Sequence, residues 1–169
     1  MVKLIWLEWK KLKRQTVISE IIIYMLIIMI MPVFFINAVM PAFGESYASA
    51  IELNFYIQMG FVLFGGSLIN QVFIEEYKNK TMALSFGYPI SRKKLYLAKI
   101  LFIALCIFVV TVISYIFTGI VTYTIDQFFP FINGQPTSSD ILTYFGSIFL
   151  NSLIVTLISF VPLFFLEFG

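Results

Sequence analysis

Few side chains in this sequence could carry out covalent chemistry. The 169 residues include no histidine and a single cysteine, Cys106, which lies inside an apolar run. These two facts exclude zinc or haem sites with histidine ligands, a histidine-dependent intramembrane protease and a disulfide within the chain. The sequence also contains no phosphate-binding G-x-x-x-x-G-K-[ST] loop. We therefore expect no catalytic residue, metal ion or cofactor on this chain.

Polar residues inside apolar segments are the next candidates, because such residues usually face protein or water rather than lipid. The apolar segment 100–125 has five of them on one helical face: Thr111, Ser114, Tyr115, Thr118 and Thr122. An earlier segment places Asn54 and Gln58 one helical turn apart. These seven residues could line the path of a transported molecule. Packing between helices through hydroxyl and amide groups is the more common role of such residues.

Helices that cross a lipid bilayer must position these side chains. The chain is 60% hydrophobic and only 12% charged, and its mean hydropathy is +0.97. A water-soluble domain is usually about half apolar and about one quarter charged. Segments 17–39, 53–73, 100–125 and 141–166 each reach the roughly 20 apolar residues that span a bilayer. We predict an all-α, polytopic membrane protein with four visible spans in a single transmembrane domain.

The basic residues form two clusters, one before the first apolar segment and one between the second and third. These clusters extend from Lys3 to Arg14 and from Lys78 to Lys99. Because short cytoplasmic segments are enriched in lysine and arginine, the N-terminus and the second connection are predicted to be cytoplasmic. The other connections hold only acidic charges and are predicted to lie outside. A nucleic-acid partner is not expected, because the basic residues do not form a continuous surface.

Other features of these apolar segments predict local contacts. Gly60, Gly65 and Gly66 permit close approach of the second span to a neighbour. Glu20 lies near the inner edge of the first span and could pair with Arg14 or Lys13. The fourth span could be capped by one of three consecutive residues: Ser138, Ser139 or Asp140.

Residues 1–15 have the pattern of an amphipathic helix. The apolar face includes Trp6 and Trp9, and the basic side includes Lys10, Lys11 and Arg14. Tryptophan residues and basic side chains on opposite faces are typical of a helix that lies in the headgroup region of a membrane. We predict an interfacial elbow helix that leads into the first span. A simple anchor that fixes the topology would have the same composition.

The connection 75–94 has more structure than a solvated loop requires. Residues 75–86 can form a helix with Tyr77, Thr81 and Leu84 on one face. Pro89, together with a preceding glycine, ends this helix, and a serine can cap a second helix in which Arg92 occupies the first turn. Basic residues in a first turn oppose the helix dipole. This cost indicates that the positive charges interact with lipid headgroups or with a partner.

This connection resembles the segment after the second span of type-2 ATP-binding-cassette (ABC) export permeases. The residues that carry the resemblance are Glu76, Lys80, Thr81, Leu84, Pro89, Ile90, Ser91, Arg92 and Lys99. The resemblance implies that residues 75–86 form a coupling helix that docks on a cytosolic ABC ATPase subunit, which would bind ATP and Mg²⁺. The residues implied in this docking are Glu76, Tyr77, Lys80, Thr81, Leu84, Pro89 and Arg92. It also implies a second permease subunit, in a homodimer or a heterodimer.

The resemblance implies a permease subunit in the plasma membrane of a bacterium, which exports a peptide, a drug or another amphipathic molecule. Members of this family usually have six spans, whereas four are visible here. The sequence stops soon after Glu167 without a basic anchor, so we expect further spans beyond Gly169. The alternative is a four-span accessory or immunity protein that does not transport and binds a cytoplasmic partner. That alternative would explain four spans without a longer chain.

Overall fold

The computed structural model describes residues 2–11, 14–43, 46–74, 92–129, 132 and 137–161, and all regular secondary structure in these residues is helical. The elements are α1 (Val2–Lys11), α2 (Arg14–Phe43), α3 (Tyr47–Gln58), α4 (Phe61–Ile69), a π-helical turn (Asn70–Ile74), α5 (Arg92–Phe128) and α6 (Ser138–Ser159). The all-α prediction is confirmed. Most of the predicted coupling residues, Glu76, Tyr77, Lys80, Thr81, Leu84 and Pro89, lie outside the described residues.

Three helical stretches are long and apolar enough to cross a membrane. They are Tyr47–Ile74, Lys93–Phe128 and Ser138–Ser159, with mean hydropathies of 1.5, 2.9 and 1.9. The first predicted span, 17–39, lies within α2, whose 30 residues extend about 45 Å at about 1.5 Å per residue. The prediction of a polytopic helical membrane protein is confirmed. The last predicted span is described only as far as residue 161.

Helix α5 is one continuous helix of 37 residues that covers two elements predicted from the sequence. The sequence predicted a second helix after Ser91 and an apolar span that begins at Ile100. The described helix begins at Arg92 and continues into the apolar segment without a break. No glycine or proline occurs between Arg92 and Thr118, so nothing in this stretch interrupts the backbone hydrogen bonds. Charged residues mark a membrane boundary but do not end a helix.

The second predicted span is longer than expected and is interrupted. It begins at Tyr47 instead of Leu53, because the Ser46 hydroxyl accepts a hydrogen bond of 3.3 Å from the Ser49 amide and caps the helix. A turn at Met59 and Gly60 separates α3 from α4. The stretch then ends in the π-helical turn, a form that is rare and often occurs at functional sites.

Helix α5 is central, and α1, α2, α3, α4 and α6 all pack against it. The main core contains Phe61 and Phe64 of α4 with Ile103 of α5, all fully buried. Gly65 permits the close approach that its sequence position predicted, because a Cβ added there would lie 2.5 Å from the Ser159 Cβ. Around Gly66, in contrast, no described atom lies within 4 Å of an added Cβ.

Helix α1 packs on the bundle through only part of its apolar face. The Trp9 ring lies 6.2 Å from the Phe102 ring of α5, measured between centroids. Trp6 is exposed, and the Lys10 ammonium lies 3.7 Å from the centroid of its ring, a cation–π geometry. The side chains of Lys11 and Arg14 lie outside the described part of the structure. The position of this helix in the membrane interface stays a prediction.

Candidate functional site

The ends of the helix bundle differ in charge, and we name them accordingly. The start of α5 carries Lys93, Lys94 and Lys99, and we call this the basic end. The other end of α5 carries Asp126, and Asp140 of α6 lies at the same end. We call it the acidic end. Three features of interest follow one another between these ends.

The first feature is a set of hydrogen bonds that joins α3, α5 and α6, formed by Asn54, Gln58, Thr118 and Tyr144. We call these four residues the polar junction. The Asn54 amide donates to the Thr118 hydroxyl and to the Tyr144 hydroxyl, both at 3.2 Å. The Gln58 amide donates to the same Thr118 hydroxyl at 3.1 Å and to the Asn54 side-chain oxygen at 3.3 Å. Because polar groups in an apolar setting are stable only when bonded, these contacts fix the relative position of three helices.

The junction also reaches the backbone of α5. The Thr118 hydroxyl donates to the Ser114 carbonyl at 2.9 Å, and the Tyr144 hydroxyl donates to the Tyr115 carbonyl. Tyr144 can approach α5 so closely because it faces Gly119, where an added Cβ would lie 2.5 Å from the tyrosine hydroxyl oxygen. A larger residue at position 119 would therefore displace this ring.

Several buried polar atoms of α3, α5 and α6 have no hydrogen-bond partner among the described residues. They are the Gln58 side-chain oxygen, the Ser114 and Ser152 hydroxyls and the Tyr115 hydroxyl. Asn151 lies close to the Tyr115 hydroxyl but does not have hydrogen-bond geometry. An unbonded buried polar group costs about 1–3 kcal/mol. Burial of these atoms therefore lowers the stability of the described bundle.

The predicted polar stripe of α5 divides into three parts. Ser114, Tyr115 and Thr118 belong to the region of the junction and are buried. Thr111 is also buried, but its hydroxyl bonds to the carbonyls of Ile107 and Phe108 in its own helix. Thr122 is half-buried and faces the cavity described next. The structure thus brings Asn54, Gln58 and Thr118 together and separates Thr111 from them. Lining of a transport path stays a prediction for all seven residues.

The second feature is an apolar cavity of about 470 Å³ at the acidic end, between α3, α5 and α6. Its lining includes Tyr47 and Asn54 of α3, Gly119 and Tyr123 of α5, and Asp140 and Tyr144 of α6. Asn54 and Tyr144 belong to the polar junction, so the junction forms one wall of the cavity. Lining residues such as Ile120, Ile141 and Phe145 are exposed at the bundle surface, so the cavity opens sideways.

Hydrogen bonds hold the rim of this cavity in place. The Tyr47 hydroxyl donates to one oxygen of Asp126 at 2.5 Å, and the Ile132 amide donates to the other at 3.1 Å. Asp140 forms a capping box with Thr137, whose hydroxyl accepts from the Asp140 amide while the Asp140 carboxylate accepts from the Thr137 amide. The cap residue is thus Thr137 and not one of the three residues after it.

The third feature lies at the basic end, where Val72 and Phe73 of the π-helical turn meet Tyr96 and Lys99 of α5. We call these four residues the basic-end joint. Lys99 is only 1% exposed, and its ammonium donates to the Val72 carbonyl at 3.2 Å. The same ammonium lies 5.7 Å from the centroid of the Phe73 ring, which packs against Tyr96 at 5.4 Å between centroids. Both ends of the connection 75–91 are therefore held at one place.

A half-buried carboxylate adds a second link at this end. Glu20 of α2 accepts hydrogen bonds from the Ser67 hydroxyl at 3.0 Å and from the Gln71 amide at 2.9 and 3.1 Å. The sequence suggested Arg14 or Lys13 as its partner. The side chains of Lys13 and Arg14 lie outside the described residues, so that pairing stays a prediction. The described bonds of Glu20 run to neutral groups of α4 and the π-helical turn, so Glu20 ties α2 to the base of the connection.

Comparison with known proteins identified a matching family and a similar protein. Residues 4–168 match the sequence model of the ABC-2 family transporter proteins. An uncharacterized protein of Bacillus subtilis (strain 168), YcbO, is 35% identical over 99 residues, which are 56% of this chain and 43% of that protein. The match therefore spans less than half of the relative's length. No solved structure matches the chain. Because the family model covers nearly the whole sequence, the chain belongs to the ABC-2 family of transporter membrane proteins.

Proposed function

We propose that this chain is the permease subunit of an ATP-driven exporter that moves an amphipathic molecule, such as a peptide or a drug, out of a bacterial cell. Family membership supports the role of an ABC transporter permease. The sequence has no phosphate-binding loop, so a separate cytosolic ATPase subunit would bind and hydrolyse ATP with Mg²⁺. A second permease subunit would complete the transporter, and the basic end would face the cytoplasm.

The observation that carries this proposal is the basic-end joint. The connection 75–91 contains the residues that resemble a coupling helix, and both of its ends are rooted in the joint. An ATPase that binds this connection would therefore act on α4 and α5 together. A loop attached only by its backbone could absorb such a motion without passing it to the spans.

The polar junction and the cavity support transport of an amphipathic molecule. The cavity offers an apolar volume at the acidic end, and two residues of the polar junction, Asn54 and Tyr144, line one of its walls. A molecule with both apolar and polar parts would find partners for both along this interface. The same interface closes toward the basic end, where Phe61 and Phe64 fill the core.

The test is co-purification of the tagged chain from native membranes in mild detergent, with partners identified by mass spectrometry. The double variant Thr81→Asp with Leu84→Asp places two charges on the predicted docking face. We expect wild-type protein to co-purify with an ABC ATPase, and we expect the double variant to lose it while inserting normally into the membrane. The matched control is Asn79→Asp with Ala83→Asp, which adds the same charge to the opposite face of the predicted helix.

Two results would contradict this proposal. One is recovery of the wild-type chain without any ABC ATPase, which would favour a four-span accessory protein. The other is equal loss of the ATPase in both double variants, which would show that the docking face does not contain Thr81 and Leu84.

A further inference from the structure

We propose that the cavity at the acidic end binds a cationic amphiphile, with the alkyl chain inside the cavity and the positively charged head group at its rim. The inference concerns a binding site and its ligand class. It deepens the proposed function, and it rests on that function only for the claim that the bound molecule is transported.

The size and the walls of the cavity suit an alkyl chain. Its volume of about 470 Å³ falls within the range of roughly 300–1,000 Å³ typical of small-molecule sites. The walls are almost wholly apolar and include Ile116, Ile120 and Ile148. Because Ile120 and Phe145 at the opening are exposed at the bundle surface, an alkyl chain could enter from the surrounding lipid without crossing water.

The charge at the rim favours a cation. Among the described residues that line the cavity, Asp140 is the one with a formal charge, and its bonds to Thr137 come from neutral groups. No lysine or arginine occurs anywhere from residue 100 to residue 169 or from residue 15 to residue 77. An anionic head group would therefore meet repulsion at the rim and find no basic partner, whereas a cation would meet an opposite charge.

Aromatic rings add a second preference for a cation. Tyr47, Tyr123 and Phe145 line the cavity together with Asp140. The Tyr47 ring is held in place because its hydroxyl bonds to Asp126. The face of an aromatic ring attracts ammonium groups, and recognition of quaternary ammonium often combines several rings with a carboxylate. The rim thus offers both interactions to a trimethylammonium head group.

The experiment measures binding of two probes with the same chain and opposite charge. The full chain is reconstituted in phosphatidylcholine nanodiscs without any ATPase, and the radiolabelled probes are dodecyltrimethylammonium and dodecyl sulfate. Empty nanodiscs give the background. We expect saturable binding of the cationic probe above background and weaker binding of the anionic one.

Matched variants separate the contributions of charge, cap and volume. Asp140→Asn should lower the affinity for the cationic probe about fivefold, which is the effect of losing one partly exposed ion pair. Glu52→Gln removes one negative charge from an exposed position of α3, on the face opposite to the cavity. It should leave the affinity for both probes unchanged. Thr137→Ala removes the cap but keeps the charge, so it should retain the preference for the cation. Ala50→Phe should reduce binding of both probes, because Ala50 lines the cavity.

Equal binding of the two probes to the wild-type chain, or an unchanged affinity in Asp140→Asn, would overturn the assignment of a cation. Absence of binding above empty nanodiscs would overturn the site itself. Because no ATPase is present, these results are independent of the co-purification test. A chain that binds the cationic probe but recovers no ATPase would contradict the proposed transport function and leave the binding site standing.

Discussion

Replacement of Gly65 tests whether the helix bundle is as closely packed as the structure indicates. An alanine Cβ at this position would lie 2.5 Å from the Ser159 Cβ and 2.9 Å from the Ile107 Cδ1. The Ile107 methyl is the end of a flexible side chain and can move. The Ser159 Cβ is attached to the backbone of α6, so relief requires α4 and α6 to separate by about 1 Å. Overpacking of this kind costs about 1–3 kcal/mol.

The matched control is its neighbour, Gly66, where nothing described lies within 4 Å of an added Cβ. Both substitutions gain roughly 1 kcal/mol of helix propensity, so this contribution cancels in the comparison. We expect Gly65→Ala to be less stable than Gly66→Ala by about 1–3 kcal/mol. For a chain of this length, each 1 kcal/mol shifts the melting temperature by about 2–4 °C. The two variants should therefore differ by several degrees.

The assay is thermal unfolding of the purified variants in one detergent, followed by tryptophan fluorescence. The double variant Gly65→Ala with Ser159→Gly removes the atom that causes the clash and should recover part of the lost stability. Equal melting temperatures for Gly65→Ala and Gly66→Ala would refute the close approach of α4 and α6. The close approach would also be refuted if the stability change of the double variant equalled the sum of the changes in Gly65→Ala and Ser159→Gly.

Two further predictions concern the polar junction and the basic-end joint. Thr118→Val keeps the shape of the side chain but removes the hydroxyl shared by Asn54 and Gln58, so the melting temperature should fall by an amount equivalent to about 1 kcal/mol. Thr124→Val, at an exposed position of the same helix, should lower the melting temperature less. An equal fall in both variants would count against the polar junction. Lys99→Met removes the bond to Val72, so it should lower substrate-stimulated ATP hydrolysis by the reconstituted transporter while leaving ATPase co-purification intact. Lys93 is exposed, so Lys93→Met should leave ATP hydrolysis and co-purification unchanged. Full ATP hydrolysis in Lys99→Met would argue against the basic-end joint.

Sequence patterns predicted which face of a span is polar but not which residues of neighbouring helices contact that face. The one-turn spacing of Asn54 and Gln58 placed them together, and the helical stripe placed Thr118 among buried residues. The contact of both amides with a single hydroxyl depends on how the helices cross, which no local spacing encodes. Tyr144 was missed for a related reason, because an isolated tyrosine in an apolar segment gives little polar signal. One signal could have identified it: Tyr144 precedes Asn151 by seven residues and Ser152 by eight, so the three share one face of the helix.

Helix boundaries were predicted only in part, because the local caps at Ser46 and Thr137 were missed. The start of α5 next to Ser91 agrees with the predicted capping position, whereas the continuity of this helix with the third span was not predicted. The interruption at Met59 and Gly60 and the π-helical turn were not predicted. Neither has a distinctive local signal, since glycine also occurs within regular spans and π-helical turns depend on tertiary contacts.

The uninterrupted length of α5 would let it act as a rigid lever between its two ends. Its Lys99 lies in the basic-end joint and its Tyr123 lines the cavity, 24 residues further along the same helix, or about 36 Å at about 1.5 Å per residue. A rigid tilt of about 5° around Lys99 would displace the helix at Tyr123 by about 3 Å, enough to open or close a gap between α3 and α6. Such a lever needs no relay of side chains between its two ends. A proline between Lys99 and Thr118 would break this continuity, because its ring kinks a helix and removes a backbone hydrogen bond.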